Sequence, residues 1–125
     1  MIKTLILLPV DTAVERIKTF LLARDFTVFA DIVHQANAAS VDLKMAGSRV
    51  LVFGNPMAGT KLMQKDISIS LELPLRLAVV EQDQQTFLLH QSTEDYTSQY
   101  QVENHPVLAK ISQLYIDLIQ ELNQD

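Results

Sequence analysis

The sequence predicts one α+β domain in which an antiparallel-rich sheet carries helices on one face. Every odd-numbered residue from 67 to 79 is apolar, which is the period-two pattern of a strand. Residues 107–122 place apolar side chains at helical spacing, so a long amphipathic helix ends the chain. The predicted strands are joined by short helices and a hairpin, an order typical of a layered α+β domain.

The first half of the chain alternates predicted strands and helices. An apolar first strand at 2–8 ends at Pro9 and Asp11. Thr12 and Glu15 have the spacing of a capping box, which predicts a helix from there to about residue 24. A second strand at 26–32, an alanine-rich short helix at 35–41 and a buried strand at 50–53 follow.

The second half contains a hairpin and the final helix. One or two helical turns are predicted at 60–66. A regular strand is predicted at 75–81, because Pro74 cannot donate a hydrogen bond inside a central strand. A polar loop at 82–85 leads to a fifth strand at 86–90, and the polar segment 92–103 is predicted to be irregular or weakly helical. Asn104 or His105 is expected to cap the last helix, with Pro106 in its first turn.

Composition limits the classes of function. A chain of 125 residues fits one domain, 1–125. The formal net charge is −5 and the ten basic residues are scattered, so neither nucleic acid nor an anionic membrane is an expected partner. The chain has no cysteine, no apolar run long enough for a membrane span and no signal-peptide core, so a cytoplasmic location is expected.

The segment after the buried strand is the most distinctive one. Gly54, Asn55 and Pro56 end the strand, and Gly59 and Thr60 follow within the same short stretch. The segment lacks the lysine of a phosphate-binding loop and the three-glycine spacing of a dinucleotide site. Taken alone, it favours a tight turn that needs glycine at positive φ. A site on exposed polar groups of Asn55 and Thr60 is the competing interpretation.

No pattern of residues in the sequence indicates catalysis or metal binding. His34 follows the second strand and could act as a base, a ligand or a structural hydrogen-bonding group. His90 and His105 lie far from it along the chain, so no metal-ligand spacing is present. We therefore predict no catalytic residues, no metal and no cofactor.

Several motifs in order resemble one known family. They are Phe-Gly-Asn-Pro at 53–56, Gly-Thr at 59–60, Leu-Met-Gln at 62–64 and Leu-Pro-Leu-Arg at 73–76. Upstream, Phe-Thr-Val-Phe at 26–29 and Ile-Val-His at 32–34, followed by two alanines, fit as well. The series is similar to the signature of the domain of unknown function 302 family and covers residues 3–92.

The resemblance implies a TATA-binding-protein-like fold with a curved antiparallel sheet of about five strands, and members that tend to be dimeric. Val33 stands where the family usually has Asp before His34, so an acid–histidine pair is lost here. Asp25 and Asp42 stand at usual glycine positions. The family carries no established activity that the resemblance could transfer.

We therefore expect a non-enzymatic ligand-binding or protein-interaction module that forms a homodimer. The alternative is a small enzyme, or a metabolite-responsive regulator, that uses a cleft beside Gly54. Clustered polar side chains there would favour this alternative. An apolar cavity would favour a binder of hydrophobic ligands, and a flat apolar patch would favour a purely structural partner module. The candidate ligand-binding residues are His34, Gly54, Asn55, Pro56, Gly59, Thr60 and Met63.

Overall fold

Five antiparallel strands form one sheet in the order β1-β5-β4-β3-β2. The computed structural model describes residues 1–124. Its strands are β1 (Ile2–Ile6), β2 (Thr27–Val33), β3 (Ser48–Gly54), β4 (Leu75–Gln82) and β5 (Gln85–His90). Its helices are α1 (Val10–Ala23), α2 (His34–Ala39), α3 (Pro56–Lys65), α4 (Thr93–Thr97) and α5 (Pro106–Leu122), with a 3-10 helix at Ile67–Glu72. The predicted α+β class and five-stranded antiparallel sheet are confirmed.

The core lies between one face of the sheet and the helices α1 and α5. Alternate residues of β4 and β5 are buried on this face, as the period-two pattern requires. Phe53 of β3 packs edge-on against Tyr115 of α5, with 6.5 Å between ring centroids. The predicted stripe of α5 is buried throughout, including Leu108, Ile111, Leu118 and Leu122.

The opposite side of the sheet is apolar, and no helix within residues 1–124 buries it as α1 and α5 bury the core face. Cross-strand partners continue it from strand to strand, as in the pairs Val50–Ala78 and Ala78–Leu89. Most of its apolar side chains are half-buried, while those of Leu5 and Ile32 are exposed. We call this surface the open face, and define it by Leu5, Ile32, Val50, Val52, Ala78, Val80, Phe87 and Leu89.

An ion-pair network ties α1 to strands β2 and β3. Arg49 of β3 donates to both carboxylate oxygens of Asp31 in β2 and pairs with Asp11 of α1 at 3.0 Å. Lys18 of α1 also contacts Asp31. The Arg49 guanidinium, more than any other neighbour, holds the pKa of Asp31 below its usual value, and Asp31 raises that of Arg49.

Two helix starts differ from their predictions. The predicted capping box at Thr12 and Glu15 is wrong. Helix α1 already begins at Val10, directly after Pro9, and no side chain caps it. The next difference is α3, which begins at Pro56 rather than near Thr60. At α5 the prediction is confirmed, because His105 Nδ1 accepts from the Val107 amide at 3.1 Å.

The glycines do not adopt the backbone predicted for them. Among the described residues no glycine has positive φ, so the expected left-handed glycine turn at Gly54 is wrong. The left-handed positions include Asp25 at φ 63° and Asp42 at φ 60°. These are the two places where the resemblance leads one to expect glycine. This chain therefore holds aspartate in a conformation that glycine adopts at lower cost.

Candidate ligand-binding site

Asn55 turns the end of strand β3 into the start of helix α3. Its Oδ1 accepts from the amides of Met57 at 3.0 Å and Ala58 at 3.2 Å, which have no partner within the first helical turn. Its Nδ2 donates to the Asp25 carbonyl at 3.5 Å. Pro56 follows at the first helical position, where a missing amide hydrogen costs nothing. The side-chain oxygen of Asn55 is therefore engaged by the helix.

Four of the predicted site residues share one side of α3. Pro56, Gly59, Thr60 and Met63 are spaced by three, one and three residues, which places them on the same helical face. All four border one cleft, together with Gly54 and Asn55. The structure thus brings six of the seven candidates together.

The cleft has a volume of about 690 Å³ and lies between α3, the part of α5 up to Asp117 and the end of the sheet. Gly54 forms part of the wall, where an added Cβ would lie 3.5 Å from both Phe29 and Pro74. Most of the other lining side chains are apolar: Phe26, Phe29, Met57, Ala58, Leu62, Met63, Leu73, Pro74, Leu75, Val107, Ile111 and Leu114. Phe29 and Met57 are exposed, so apolar surface continues outward from the cleft.

Gly59 leaves space in the wall of this cleft. It lies inside α3 with an ordinary helical φ, so its backbone does not require glycine. A Cβ built there would meet only Leu73 Cδ1 within 4 Å, at 3.9 Å. Glycine inside a helix costs about 1 kcal/mol relative to alanine. The backbone of α3 therefore does not explain why this position is glycine. The space that the missing side chain leaves open is part of the cleft.

His34 lies at the other end of the sheet. Gly54 pairs with Thr27 at the start of β2, whereas His34 follows Val33 at the end of that strand. The seven residues of β2, at about 3.3 Å each, put roughly 20 Å between the two ends. His34 is exposed and does not line the cleft. The structure does not bring it to the other six candidates.

Charged side chains of the cleft were missed by the sequence predictions. Arg24 at the end of α1, Lys61 of α3 and Lys110 of α5 line it, with Asp117 as the one carboxylate among the described lining residues. The Arg24 guanidinium lies 3.6 Å above the ring centre of Phe20, which is a cation–π contact. These cations lie far apart along the chain, so no spacing rule could have found them.

A second polar feature lies away from the cleft, where His90 stacks on Tyr115. The ring centroids are 3.6 Å apart and the planes differ by 7°. His90 Nδ1 lies 2.9 Å from the Gln91 carbonyl, while Nε2 and the Tyr115 hydroxyl have no partner among residues 1–124. Burial is the main cause that lowers the pKa of His90 and raises that of Tyr115.

Two broader features bear on metals and membranes. Within residues 1–124, no three His, Asp or Glu side chains are grouped closely enough to hold a metal ion. No helix in the described part of the chain combines the length and hydrophobicity of a membrane span.

Comparison with known proteins identifies a family and a solved structure that has the same fold. Residues 2–122 match the profile of the family described as "Domain of unknown function DUF302". A crystal structure of an uncharacterized conserved DUF302 protein from Bacillus stearothermophilus gives a TM-score of 0.81 at 15% identity. The alignment covers 97% of this chain and 96% of that one, which shows a common fold.

Some curated relatives match half of the chain. Among them are the fluoride-specific ion channels FluC 1 of Brucella suis and FluC 1 of Brucella abortus. Each is 35% identical over 63 residues, which is 50% of this chain. The match covers 25% of the first channel and 23% of the second, so it spans about a quarter of their length.

Proposed function

Because the chain belongs to the DUF302 family, whose description assigns no activity, we propose its function from its own surfaces: it is a homodimeric module that binds an apolar ligand in the cleft between α3 and α5. The observation that carries the binding proposal is the apolar cleft of about 690 Å³. Small-molecule sites commonly measure about 300–1,000 Å³ and have mostly apolar walls with a few polar groups. The transport activity of the Brucella channels is not part of the proposal, because the match covers so little of them.

The lining supports binding more than catalysis. General acid–base chemistry needs a titrating group at the reacting atoms, usually histidine or a carboxylate. Among the described lining residues there is no histidine, and Asp117 is the single carboxylate. Asn55, which sequence reasoning offered as a polar contact, has its oxygen engaged by α3. Thr60 and Gln113 are left as uncharged polar groups that could orient a ligand.

Gly59 offers a direct test of the cleft. Gly59→Leu should extend an aliphatic side chain into the open space and exclude a ligand, while Gly59→Ala adds a single methyl group. Both substitutions remove the entropic cost of glycine in a helix, so both proteins should be at least as stable as the original. We would titrate each protein with N-phenyl-1-naphthylamine, a neutral apolar dye whose fluorescence rises on burial.

The proposal expects dye binding by the original protein and by Gly59→Ala, and a loss of about tenfold or more in affinity for Gly59→Leu. Thermal melting of all three proteins checks that the helix is intact. Equal dye affinity for Gly59→Leu and Gly59→Ala would show that the dye binds elsewhere. Failure of the original protein to bind dye would remove the support for an apolar ligand.

The open face supports the homodimer. It presents a continuous row of apolar side chains across the strands, and contiguous exposed apolar patches often mark contact surfaces. A second copy is the occupant we propose, since a two-fold contact would cover both open faces at once. Two twisted sheets can pack face to face with their side chains interleaved. The cationic groups of Lys3 and Arg76 lie along this face and would remain at the rim.

A substitution in the middle of this face tests the dimer. Ala78 lies on the central strand β4, half-buried, so Ala78→Asp would place a charge in the contact while leaving the core untouched. Ile116→Asp on the exposed side of α5 is the matched control. Light scattering at micromolar concentration should give a dimer for the original and control proteins and a monomer for Ala78→Asp. An original protein that stays monomeric at every accessible concentration contradicts the proposal.

A further inference from the structure

The charges of the cleft differ in sign from those of the protein as a whole. The chain has fifteen acidic and ten basic residues, for a net charge of −5. Around the cleft the balance reverses, with Arg24, Lys61 and Lys110 against Asp117. None of these three cations has a carboxylate within 4.0 Å among residues 1–124, although other cations of the chain do. The cleft therefore combines apolar walls with unneutralised positive charge.

The cations lie on or next to three separate helices, and all three line the cleft. Arg24 follows the last residue of α1 as its C-cap, Lys61 belongs to the first two turns of α3, and Lys110 belongs to the first two turns of α5. The Arg24 guanidinium stacks on the ring of Phe20, and Arg24 also lines the cleft. Lysine side chains also lay their methylene stems along apolar surface and keep the ammonium group in water. This arrangement fits a ligand that is apolar along its body and anionic at one end.

We propose that the ligand of the cleft is an amphiphilic anion, such as a medium-chain aliphatic carboxylate, with its chain in the apolar cleft and its head at Arg24, Lys61 and Lys110. The inference rests on the proposed function, because it assumes that the cleft binds a small molecule. Charge complementarity distinguishes it from a neutral ligand: an acidic protein repels anions at long range, so the local cations must supply the attraction. A cationic amphiphile would meet repulsion at the rim.

Three amphiphiles of equal chain length separate these possibilities. We would measure by calorimetry the binding of decanoate, decan-1-ol and decyltrimethylammonium to the intact protein. The two ions are kept below their micelle concentrations and the alcohol below its solubility limit. The double variant Lys61→Gln with Lys110→Gln removes two cations from the rim. Lys65→Gln is the matched control, since Lys65 lies on the same helix but outside the cleft. All proteins are first checked for unchanged thermal melting.

The proposal expects decanoate to bind about tenfold or more tightly than decyltrimethylammonium, with an affinity that falls as salt is added. The double variant should weaken decanoate binding about tenfold and leave decan-1-ol unchanged, while Lys65→Gln changes neither. Equal affinities for the three amphiphiles, or decanoate binding unaffected in the double variant, would overturn the charged-head inference and leave the apolar site standing. If neither decanoate nor decan-1-ol binds, the inference and the proposed apolar site both fall.

Discussion

Removal of the Asn55 side chain should destabilise the protein through helix α3. Asn55→Ala leaves the amides of Met57 and Ala58 without the oxygen that now accepts from both. Replacing an N-cap asparagine by alanine typically costs about 1 kcal/mol, within a range of about 0.5–2. The bond from Nδ2 to Asp25 is 3.5 Å long and exposed, so it adds little. We therefore expect a loss of about 1 kcal/mol in the free energy of unfolding.

The loss corresponds to a measurable shift in melting temperature. An unfolding entropy of about 2.1 cal/mol/K per residue, taken over the 125 residues of the chain, converts 1 kcal/mol to about 4 °C. Circular dichroism melts and urea titrations would measure the change. Asn55→Asp keeps the acceptor oxygen and adds a negative charge at the helix N-terminus, so it should match the original protein. Asn37→Ala, on the exposed surface of α2, should shift the unfolding free energy by less than about 0.5 kcal/mol.

Two outcomes would refute this reasoning. An equal loss in Asn55→Ala and Asn55→Asp would show that the acceptor oxygen is not what stabilises the helix start. A loss in Asn55→Ala no larger than that of Asn37→Ala would show that water replaces the cap without cost. Thr60→Val provides the contrast for the site. Thr60 is exposed, lines the cleft and takes no part in the cap of α3, so removal of its hydroxyl should affect ligand retention and leave melting unchanged.

Three further predictions concern stability. Arg49→Ala should cost about 2 kcal/mol at pH 7, because it leaves Asp31 mostly buried without its main partner. In the original protein this contribution is present above the unfolded carboxyl pKa of about 3.9 and is lost as pH falls through the lower folded pKa of Asp31. Burial lowers the pKa of His90, so this histidine is protonated in the unfolded chain at a higher pH than in the folded protein. Stability should therefore fall as pH drops below about 6.5, and His90→Phe should remove this part of the pH dependence. Asp25→Gly and Asp42→Gly should each stabilise the protein by about 0.5 kcal/mol, because both positions have positive φ.

Each of these predictions has its own check. Urea unfolding of Arg49→Ala at pH 7 is compared with that of Arg76→Ala. The Arg76 side chain is 58% exposed, so its removal should change the free energy of unfolding little. The pH profile of His90→Phe is compared with that of His34→Phe, and identical slopes between pH 5 and 6.5 would contradict a buried neutral His90. The glycine substitutions are measured by melting, and a loss of stability at both positions would show that the aspartate side chains stabilise their turns.

The amino-acid sequence by itself determined the class of the fold. The strand at 75–79 and the apolar stripe of α5 follow from local periodicity, and their inward side chains are buried. The same alternation at 67–73 misleads, because Ile67–Glu72 forms a 3-10 helix in which Ile67 and Leu71 are exposed. The start of α5 also followed from local chemistry, since Pro106 suits a first helical position, and the structure then selects His105 rather than Asn104 as the cap. The segment 92–103 contains a short helix, α4, whose capping box at Ser92 and Asp95 was present in the sequence.

The start of α3 was not determined in the same way. Glycine, asparagine and proline in succession suit a loop as well as a helix start, because each residue favours both. The outcome depends on Asn55, whose side chain reaches the first two free amides of α3. A site predicted as a polar loop is therefore, in the structure, one face of a helix. Homodimerisation, ligand binding and a cytoplasmic location stay predictions.

Only the tertiary structure decided which residues share the cleft. The packing places residues 54–63, Arg24 and Lys110 around one cleft and leaves His34 outside it. His34 is separated because β2 and β3 run antiparallel, so the end of one strand lies beside the start of the other. Local patterns fix the faces of helices and strands, whereas the meeting of distant residues depends on how those faces pack.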